Sequence, residues 1–246
     1  MSFNKLENLN GKVAVIAGGC GQVGYATAKS LSQQGAIVIA LVRRDLELAQ
    51  EMMSALKGRA ILANVADSAS VKSAVAQIAQ CDILVNAVGI TKNIMPAILH
   101  ELSDEVLDTI IDTNLKGSII LIREFSDLLK QSGDGLVVNI SSTAGLRASQ
   151  SNLAYGAAKA GIDLVTKSLA KALAPQIRVV GIAPGYLTLP TSGAFKPIDA
   201  NERLAGLVPL RRVGEAEDIA NAVECLATTM RFVTGQTIIV DGGISL

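Results

Sequence analysis

The sequence predicts an α/β protein in which residues 1–246 form a single domain around a doubly wound, Rossmann-type parallel sheet. Three observations support this prediction. Short apolar, β-branched runs alternate with longer helical stretches, no linker or repeat divides the chain, and glycine or small polar residues follow several of the runs. The 246 residues are 50% hydrophobic, which is ample for one large core.

The predicted elements alternate along the chain. We expect strands at 13–17, 37–41, 60–63, 83–86, 136–140, 178–182 and 237–240. Helical patterns occupy 23–34, 45–57, 70–80, 104–130, 153–173 and 216–227. Near-continuously apolar strands separated by helices indicate a parallel sheet covered on both faces. One irregular stretch, about 186–206, predicts a substrate loop, with a plain surface connection as the alternative.

Composition excludes several classes of function. Charge is balanced, with 22 basic and 22 acidic residues, and aromatic content is 3% without tryptophan, so we expect neither nucleic acid nor a membrane surface as partner. The sequence contains no run of 18 apolar residues, so we expect no membrane span. Cys20, Cys81 and Cys225 are scattered, which argues against disulfides and a metal site and favours a cytoplasmic protein.

Four predicted strands end in residues suited to a binding crevice. The first ends in the glycine-rich run GGCG at 18–21, the fourth in NAVG at 86–89, the fifth in SST at 141–143 and the sixth in APG at 183–185. Ligands of doubly wound sheets bind outside the carboxyl ends of the strands. Any one of these ends is typical of an ordinary loop, but four together predict one shared crevice.

The glycine-rich turn predicts a dinucleotide site. Glycines let the backbone approach a pyrophosphate, and the helix that follows offers N–H donors. A turn without a ligand is the alternative. The second predicted strand is followed by Arg43 and Arg44, with no acidic residue at its end to bind ribose hydroxyls. Because guanidinium pairs well with a 2′-phosphate, NADP(H) is the favoured cofactor. The alternative is that the two arginines are only a solvated charge pair at the start of a helix, which leaves NAD(H) open.

Tyr155 and Lys159 form a candidate acid–base pair. They are four residues apart on the predicted helix at 153–173 and therefore share a face. A nearby ammonium favours the phenolate form of a tyrosine, whose ordinary pKa of about 10 is otherwise too high for catalysis at neutral pH. Ser142, at the end of a strand, is placed to hydrogen-bond a substrate carbonyl. Without further evidence, a tyrosine and a lysine at this spacing are more often surface residues with no functional role.

Motifs along nearly the whole chain resemble the short-chain dehydrogenase/reductase family, and most of all its 3-oxoacyl reductases. Besides the glycine turn and NAVG, they are DTN at 112–114, VNISS at 138–142, YGAAK at 155–159, APG at 183–185, PLRRVGE at 209–215, VTGQ at 233–236 and VDGG at 240–243. Their order and spacing match the family. The resemblance implies an enzyme that interconverts a ketone and a secondary alcohol by hydride transfer.

The resemblance also implies residue roles. Tyr155 would be the acid/base, Lys159 would support it and hold the nicotinamide ribose, Ser142 would polarise the carbonyl, and Asn114 would hold a water in the proton path. The implied cofactor-binding residues are Gly18, Cys20, Gln22, Val23, Arg43, Asn64, Val65, Asn86, Tyr155, Lys159, Pro184 and Leu187. The partners implied are a small carbonyl or hydroxy substrate and further copies of the chain, in a homotetramer formed through the helix at 153–173 and the long helix before it.

Some positions depart from the family pattern. Ala17 replaces a threonine, Gln22 stands where a glycine is usual, and NAVG replaces Asn-Asn-Ala-Gly. These departures keep an alternative in view, a non-catalytic cofactor-sensing or scaffold member of the same fold. Members that serve acyl carrier proteins use basic residues near the active-site entrance. The matching positions here are Gly133 and Gln176, and neither is basic. This argues against an acyl carrier protein as the substrate carrier and leaves an acyl-CoA thioester, a secondary alcohol or a small cyclic ketone as candidate substrates.

Overall fold

The computed structural model describes residues 8–148, 152–188 and 200–246. Its strands are β1 Val13–Ala17, β2 Ile37–Val42, β3 Arg59–Leu62, β4 Ile83–Asn86, β5 Gly135–Ile140, β6 Ile177–Pro184 and β7 Thr237–Val240. They form one parallel sheet in the order β3-β2-β1-β4-β5-β6-β7. The predicted α/β fold with a Rossmann-type parallel sheet is therefore confirmed.

Helices connect the strands and cover both faces of the sheet. They are α1 Gln22–Gln33, α2 Leu46–Ser54, α3 Ser68–Val75, α4 Asp104–Ile111, α5 Gly117–Gln131, α6 Leu153–Leu173, α7 Ala200–Leu207 and α8 Ala216–Thr228. Local capping fixes several of their starts. The carboxylate of Asp67 accepts from the Ala69 N–H ahead of α3, and the hydroxyl of Ser103 accepts from the Val106 N–H ahead of α4.

The core consists of two layers, one on each face of the sheet. Alternate residues of a strand point to opposite faces, so Val15 of β1 packs among side chains of α3, α5 and α6, whereas its neighbour Ile16 packs among those of α1, α2 and α8. Phe125 of α5 fills the first layer and Leu31 of α1 the second, and both are fully buried. This double coverage explains why the strands are apolar throughout.

The structure corrects two predicted elements. The helix predicted over 104–130 is interrupted by a π-helical segment, Asp112–Lys116, between α4 and α5. The irregular stretch predicted over 186–206 ends in a helix, α7, so its last residues are not loop. Apolar periodicity identifies neither feature, because the π segment adds one residue to a turn and α7 is only two turns long. Residues 189–199 of this stretch lie outside the described residues.

The carboxyl ends of β1, β4, β5 and β6 are consecutive at one edge of the sheet. The four strand ends that the sequence predicts to share a crevice therefore lie side by side. No helix within the described ranges is long and apolar enough to cross a membrane.

Candidate active site

The glycine turn after β1 is shaped by close backbone contacts. Gly18 has a φ of +76°, and a Cβ added to it would lie 3.0 Å from the carbonyl oxygen of Ala87. A Cβ on Gly24 would lie 2.1 Å from the carbonyl oxygen of Gly18, so only glycine lets α1 pack against the turn. Gly21 precedes α1 and brings no capping side chain, which leaves the first N–H groups of the helix available to an anion.

A cleft of about 460 Å³ opens beside this turn and runs along the carboxyl edge. It is lined by five of the sequence-predicted cofactor residues, Gly18, Cys20, Arg43, Asn64 and Val65. Residues of α2 and of the π segment complete it, namely Leu48, Ala49, Met52 and Thr113. The sequence does not predict a site role for Leu48, Ala49 and Met52, because apolar residues at helical spacing are typical of a core.

Ser142 and Tyr155 meet at the end of β5. Ser142 has an extended backbone, and its hydroxyl accepts a 3.2 Å hydrogen bond from the N–H of Ala144 at the start of a 3-10 turn. That turn packs tightly on α6, since a Cβ on Gly145 would lie 2.6 Å from the backbone nitrogen of Ala160. Burial raises the pKa of Tyr155, and a hydrogen bond with the Ser142 side chain lowers it in part, with a net upward shift. Tyr155 is therefore a phenol at neutral pH.

Lys159 lies beside Tyr155 with its charge in a buried setting. It is only 3% exposed, and its Nζ donates a 2.7 Å hydrogen bond to the carbonyl oxygen of Ile140. Nζ lies 5.5 Å from the centroid of the Tyr155 ring. Burial lowers the pKa of Lys159 to about 8, against the opposing effect of Asp163. The sequence predicts that Lys159 lowers the pKa of Tyr155. In the structure the effect of burial dominates, and the pKa of Tyr155 is raised.

Asn114 holds the segment after β4 in place. Its side-chain amide accepts from the N–H of Ile90 at 3.0 Å and donates to the carbonyl oxygens of Ile90 at 2.8 Å and Ile110 at 2.9 Å. A Cβ on Gly89 would lie 3.4 Å from Asn114 Oδ1 and 3.7 Å from Lys159 Nζ. The Gly89 end of the cleft therefore adjoins both residues. The π segment that carries Asn114 turns its side chain inward to this point.

Other predicted cofactor residues do not line the cleft. The side chain of Asn86 is buried between strands and donates a 2.7 Å hydrogen bond to Asn139 Oδ1, while its own Oδ1 has no partner among the described residues. Pro184 is buried at the end of β6, and Val23 packs into the core beside α8. Leu187 forms a bridge with Gly214. A motif places their backbones at the crevice but does not say which way their side chains point.

Gln22 reaches across the crevice. Its side-chain amide donates a 2.7 Å hydrogen bond to the carbonyl oxygen of Thr188, in the segment that follows β6. The N–H and hydroxyl of Thr188 in turn donate to the carbonyl oxygen of Gly214. The residue that replaces a family glycine therefore connects the glycine turn to a distant part of the site.

Gly133 and Gln176 lie at the opposite edge of the sheet from Tyr155. They come just before β5 and β6, and the Gly135 N–H donates to the carbonyl oxygen of Gln176 at 3.0 Å. The expectation that these positions flank the active-site entrance is therefore wrong within this chain, because parallel strands begin at one edge and end at the other. Elsewhere in the described ranges, no cluster of three or more His, Cys, Asp or Glu could hold a metal ion.

Comparisons with known proteins agree with this fold. A family model described as enoyl-(acyl carrier protein) reductase matches residues 21–245. The 3-oxoacyl-[acyl-carrier-protein] reductase of Thermotoga maritima is 34% identical over 96% of this chain and 98% of its own length. The reductase of the same name from Escherichia coli is 33% identical over 96% and 98%. The crystal structure of gox2181 superposes with a TM-score of 0.88 at 27% identity, covering 97% of both chains. The chain belongs to the short-chain dehydrogenase/reductase family.

Proposed function

We propose that the chain is an NADP(H)-dependent oxidoreductase that interconverts a ketone and a secondary alcohol. The proximity of Ser142, Tyr155 and Lys159 at the end of β5 carries this proposal. A hydrogen bond joins the first two side chains, and the ammonium of the third lies over the tyrosine ring. A hydroxyl donor, a phenol and a buried cation are together what proton transfer to a carbonyl oxygen needs.

The chemistry follows from the protonation of these groups. Tyr155 keeps its phenolic proton at neutral pH and can donate it to a carbonyl oxygen as negative charge develops there. Lys159, whose pKa is about 8, is predominantly an ammonium at neutral pH and stabilises the phenolate that remains. The Ser142 hydroxyl, next to Tyr155, holds the substrate oxygen within reach of that proton. Alcohol oxidation reverses these roles.

The cleft fits a nicotinamide dinucleotide. Its backbone cradle at Gly18 and Gly21 leaves no side chain in the way of a pyrophosphate, and the start of α1 offers N–H donors. Cys20, Asn64 and Val65 would surround the adenosine half, and Lys159 would hold the nicotinamide ribose at the other end. When bound, this cofactor supplies or accepts the hydride at the carbonyl carbon.

Arg43 supports a preference for NADP(H) over NAD(H). Its side chain is exposed at the cleft. Among the described residues that line the cleft, Asp45 is the single acidic one. The neighbouring Arg44 also lines the cleft, and its Nε lies 3.5 Å from the Asp45 carboxylate. A guanidinium that lines the adenosine end of the cleft suits a 2′-phosphate.

The substrate class follows in part from the relatives. Those compared above are named for reduction of 3-oxoacyl groups on an acyl carrier protein. We propose a 3-oxoacyl thioester as the first substrate to test, with simple secondary alcohols and cyclic ketones next.

We also propose that the chain works as a homotetramer in the cytoplasm. Leu107, Ile119, Leu153 and Leu164 are exposed apolar residues on α4, α5 and α6, the helices through which assembly was predicted. Cys20, Cys81 and Cys225 are free thiols, which suits a reducing compartment. Light scattering on the purified chain tests the assembly directly.

Tyr155→Phe tests the function. NADPH should bind the wild type and this variant with similar affinity, whereas turnover of a panel of 3-oxoacyl thioesters and ketones should fall at least ~100-fold in the variant. The variant keeps the ring that packs at the site and loses only the phenolic hydroxyl that carries the proton. A wild type that binds NADPH and turns over no carbonyl would favour the scaffold alternative. Equal turnover by both proteins would exclude Tyr155 as the acid.

A further inference from the structure

Asp163 is a buried acid that the proposed chemistry does not use. It lies one helical turn beyond Lys159 on α6 and is only 6% exposed. Its Oδ1 accepts a 2.8 Å hydrogen bond from the hydroxyl of Thr237 on β7, whereas its Oδ2 is buried with no hydrogen-bond partner among the described residues. A half-satisfied buried carboxylate costs stability. A residue that only linked α6 to β7 would not need the negative charge of Asp163, since a neutral amide could accept the same hydrogen bond from Thr237.

The charge of Asp163 acts on Lys159. Burial lowers the pKa of Lys159 to about 8, and the Asp163 carboxylate is the charged group that opposes this shift. The other titratable group facing Lys159 is Tyr155, whose ring centroid is 5.5 Å from Nζ and which is neutral as a phenol. On the side of β5, Lys159 Nζ donates to the uncharged carbonyl of Ile140. On the side of the π segment, the uncharged Oδ1 of Asn114 adjoins the same Gly89 position as Nζ.

We propose that Asp163 is a positioning residue for the catalytic pair, whose buried carboxylate keeps Lys159 protonated at neutral pH, where Tyr155 gives its proton to the substrate. The role in catalysis rests on the proposed function, whereas the effect on Lys159 does not. Replacing the carboxylate with an amide should let Lys159 lose its proton at lower pH. A neutral amine no longer stabilises the phenolate of Tyr155, so activity should fall off sooner as pH rises.

Titration of Lys159 by NMR tests the electrostatic part without any substrate. The protein is labelled with ¹³C-lysine, and Lys159→Arg identifies the resonance. In Asp163→Asn, Lys159 should titrate at least half a pH unit lower than in the wild type, which is about a threefold change in protonation ratio. Thr237→Val removes the hydrogen bond but keeps the charge, and should titrate like the wild type. An unchanged midpoint in Asp163→Asn, or equal shifts in both variants, would overturn the proposal.

The pH profile of kcat/KM for carbonyl reduction tests the catalytic part. The alkaline limb should move to lower pH in Asp163→Asn by the same amount as the NMR midpoint, and Asp163→Glu should restore it. A limb that stays in place while the NMR midpoint moves would refute the positioning role. If the wild type reduces no carbonyl, the proposed function fails, while the titration still decides the coupling. Should Asp163→Asn not fold, the double variant Asp163→Leu/Thr237→Val removes both polar partners and is subject to the same expectations.

Discussion

The side-chain amide of Gln22 is hydrogen-bonded to the main-chain carbonyl of Thr188 at 2.7 Å, across the carboxyl edge of the sheet. β4 and β5 lie between β1 and β6 in the strand order, so this bond spans the ends of two strands. Both residues lie beside the proposed cofactor site. A ligand that enters between the glycine turn and the segment after β6 therefore meets this bond.

Gln22→Ala should accelerate both the binding and the release of NADPH. An exposed hydrogen bond of this kind contributes about 0.5–1 kcal/mol, so we expect the rates to rise ~2–5-fold. Stopped-flow fluorescence of NADPH measures both. Thr188→Ala is the control, because it keeps the main-chain carbonyl and hence the bond to Gln22. Rates in Gln22→Ala that match the wild type would show that the bond does not limit entry.

Arg43→Ala should weaken NADPH far more than NADH. A charge-assisted hydrogen bond to a phosphate contributes about 1.5–3 kcal/mol, which corresponds to a ~10–100-fold rise in the Kd for NADPH. The Kd for NADH should stay within about threefold of the wild type. Equilibrium fluorescence titration gives both constants. Arg44→Ala is the comparison and should weaken NADPH less, since Arg44 also lines the cleft but lies 3.5 Å from the Asp45 carboxylate. An equal loss for both cofactors in Arg43→Ala would contradict phosphate recognition.

Gly24→Ala should destabilise the fold, because its Cβ would lie 2.1 Å from the carbonyl oxygen of Gly18 and neither backbone can move freely. Overpacking of this kind costs about 1–3 kcal/mol or more, read from the urea dependence of unfolding. Gly21→Ala serves as the comparison. Its Cβ would lie 3.2 Å from the same oxygen, and its φ of −73° suits any residue. If both variants lost the same stability, close packing of α1 would not explain Gly24.

The sequence was sufficient to predict which strand ends border the site, and insufficient to predict which side chains line it. Parallel strands buried on both faces leave a clear apolar signal, and the turns after them can only lie at one edge. The direction of a side chain depends on packing, which a pattern does not encode. Asn86 belongs to a matching motif and yet hydrogen-bonds Asn139 inside the sheet, whereas Met52 reads as core and yet lines the cleft.

Asp163 and Thr237 show a second limit of prediction from the sequence. They are 74 positions apart in the sequence and meet only because β7 pairs with β6 beneath α6. An aspartate within a helix is typical of a solvated face, so the sequence gives no sign that this one is buried. The sequence also does not predict the π segment that carries Asn114, since a segment of five residues is too short for an apolar period to reveal the one residue that it adds.

Asp82 makes the stability of the fold sensitive to acid. It lies at the edge of the sheet opposite the site, 3% exposed, and accepts hydrogen bonds from the Val13 N–H at 2.8 Å, from Lys12 at 2.9 Å and from Gln80 at 2.7 Å. Burial alone would raise the pKa of Asp82, but these hydrogen bonds lower it below the ordinary value. A carboxylate with a lowered pKa stabilises the folded state above its unfolded pKa of about 3.9, and this contribution is lost as pH falls through the lower, folded value.

Asp82→Asn should therefore reduce the free energy of unfolding by about 2 kcal/mol at pH 7, where the wild-type residue is ionised. The difference between the two proteins should shrink steadily below about pH 4, as the wild-type carboxylate takes up its proton. Urea unfolding at a series of pH values measures it. Asp127→Asn is the control, because that carboxylate is 86% exposed and lies 3.9 Å from Lys130, so its loss should have little effect at any pH. A difference for Asp82→Asn that stays constant from pH 7 to pH 3 would mean that packing, and not the charge, stabilises this edge of the sheet.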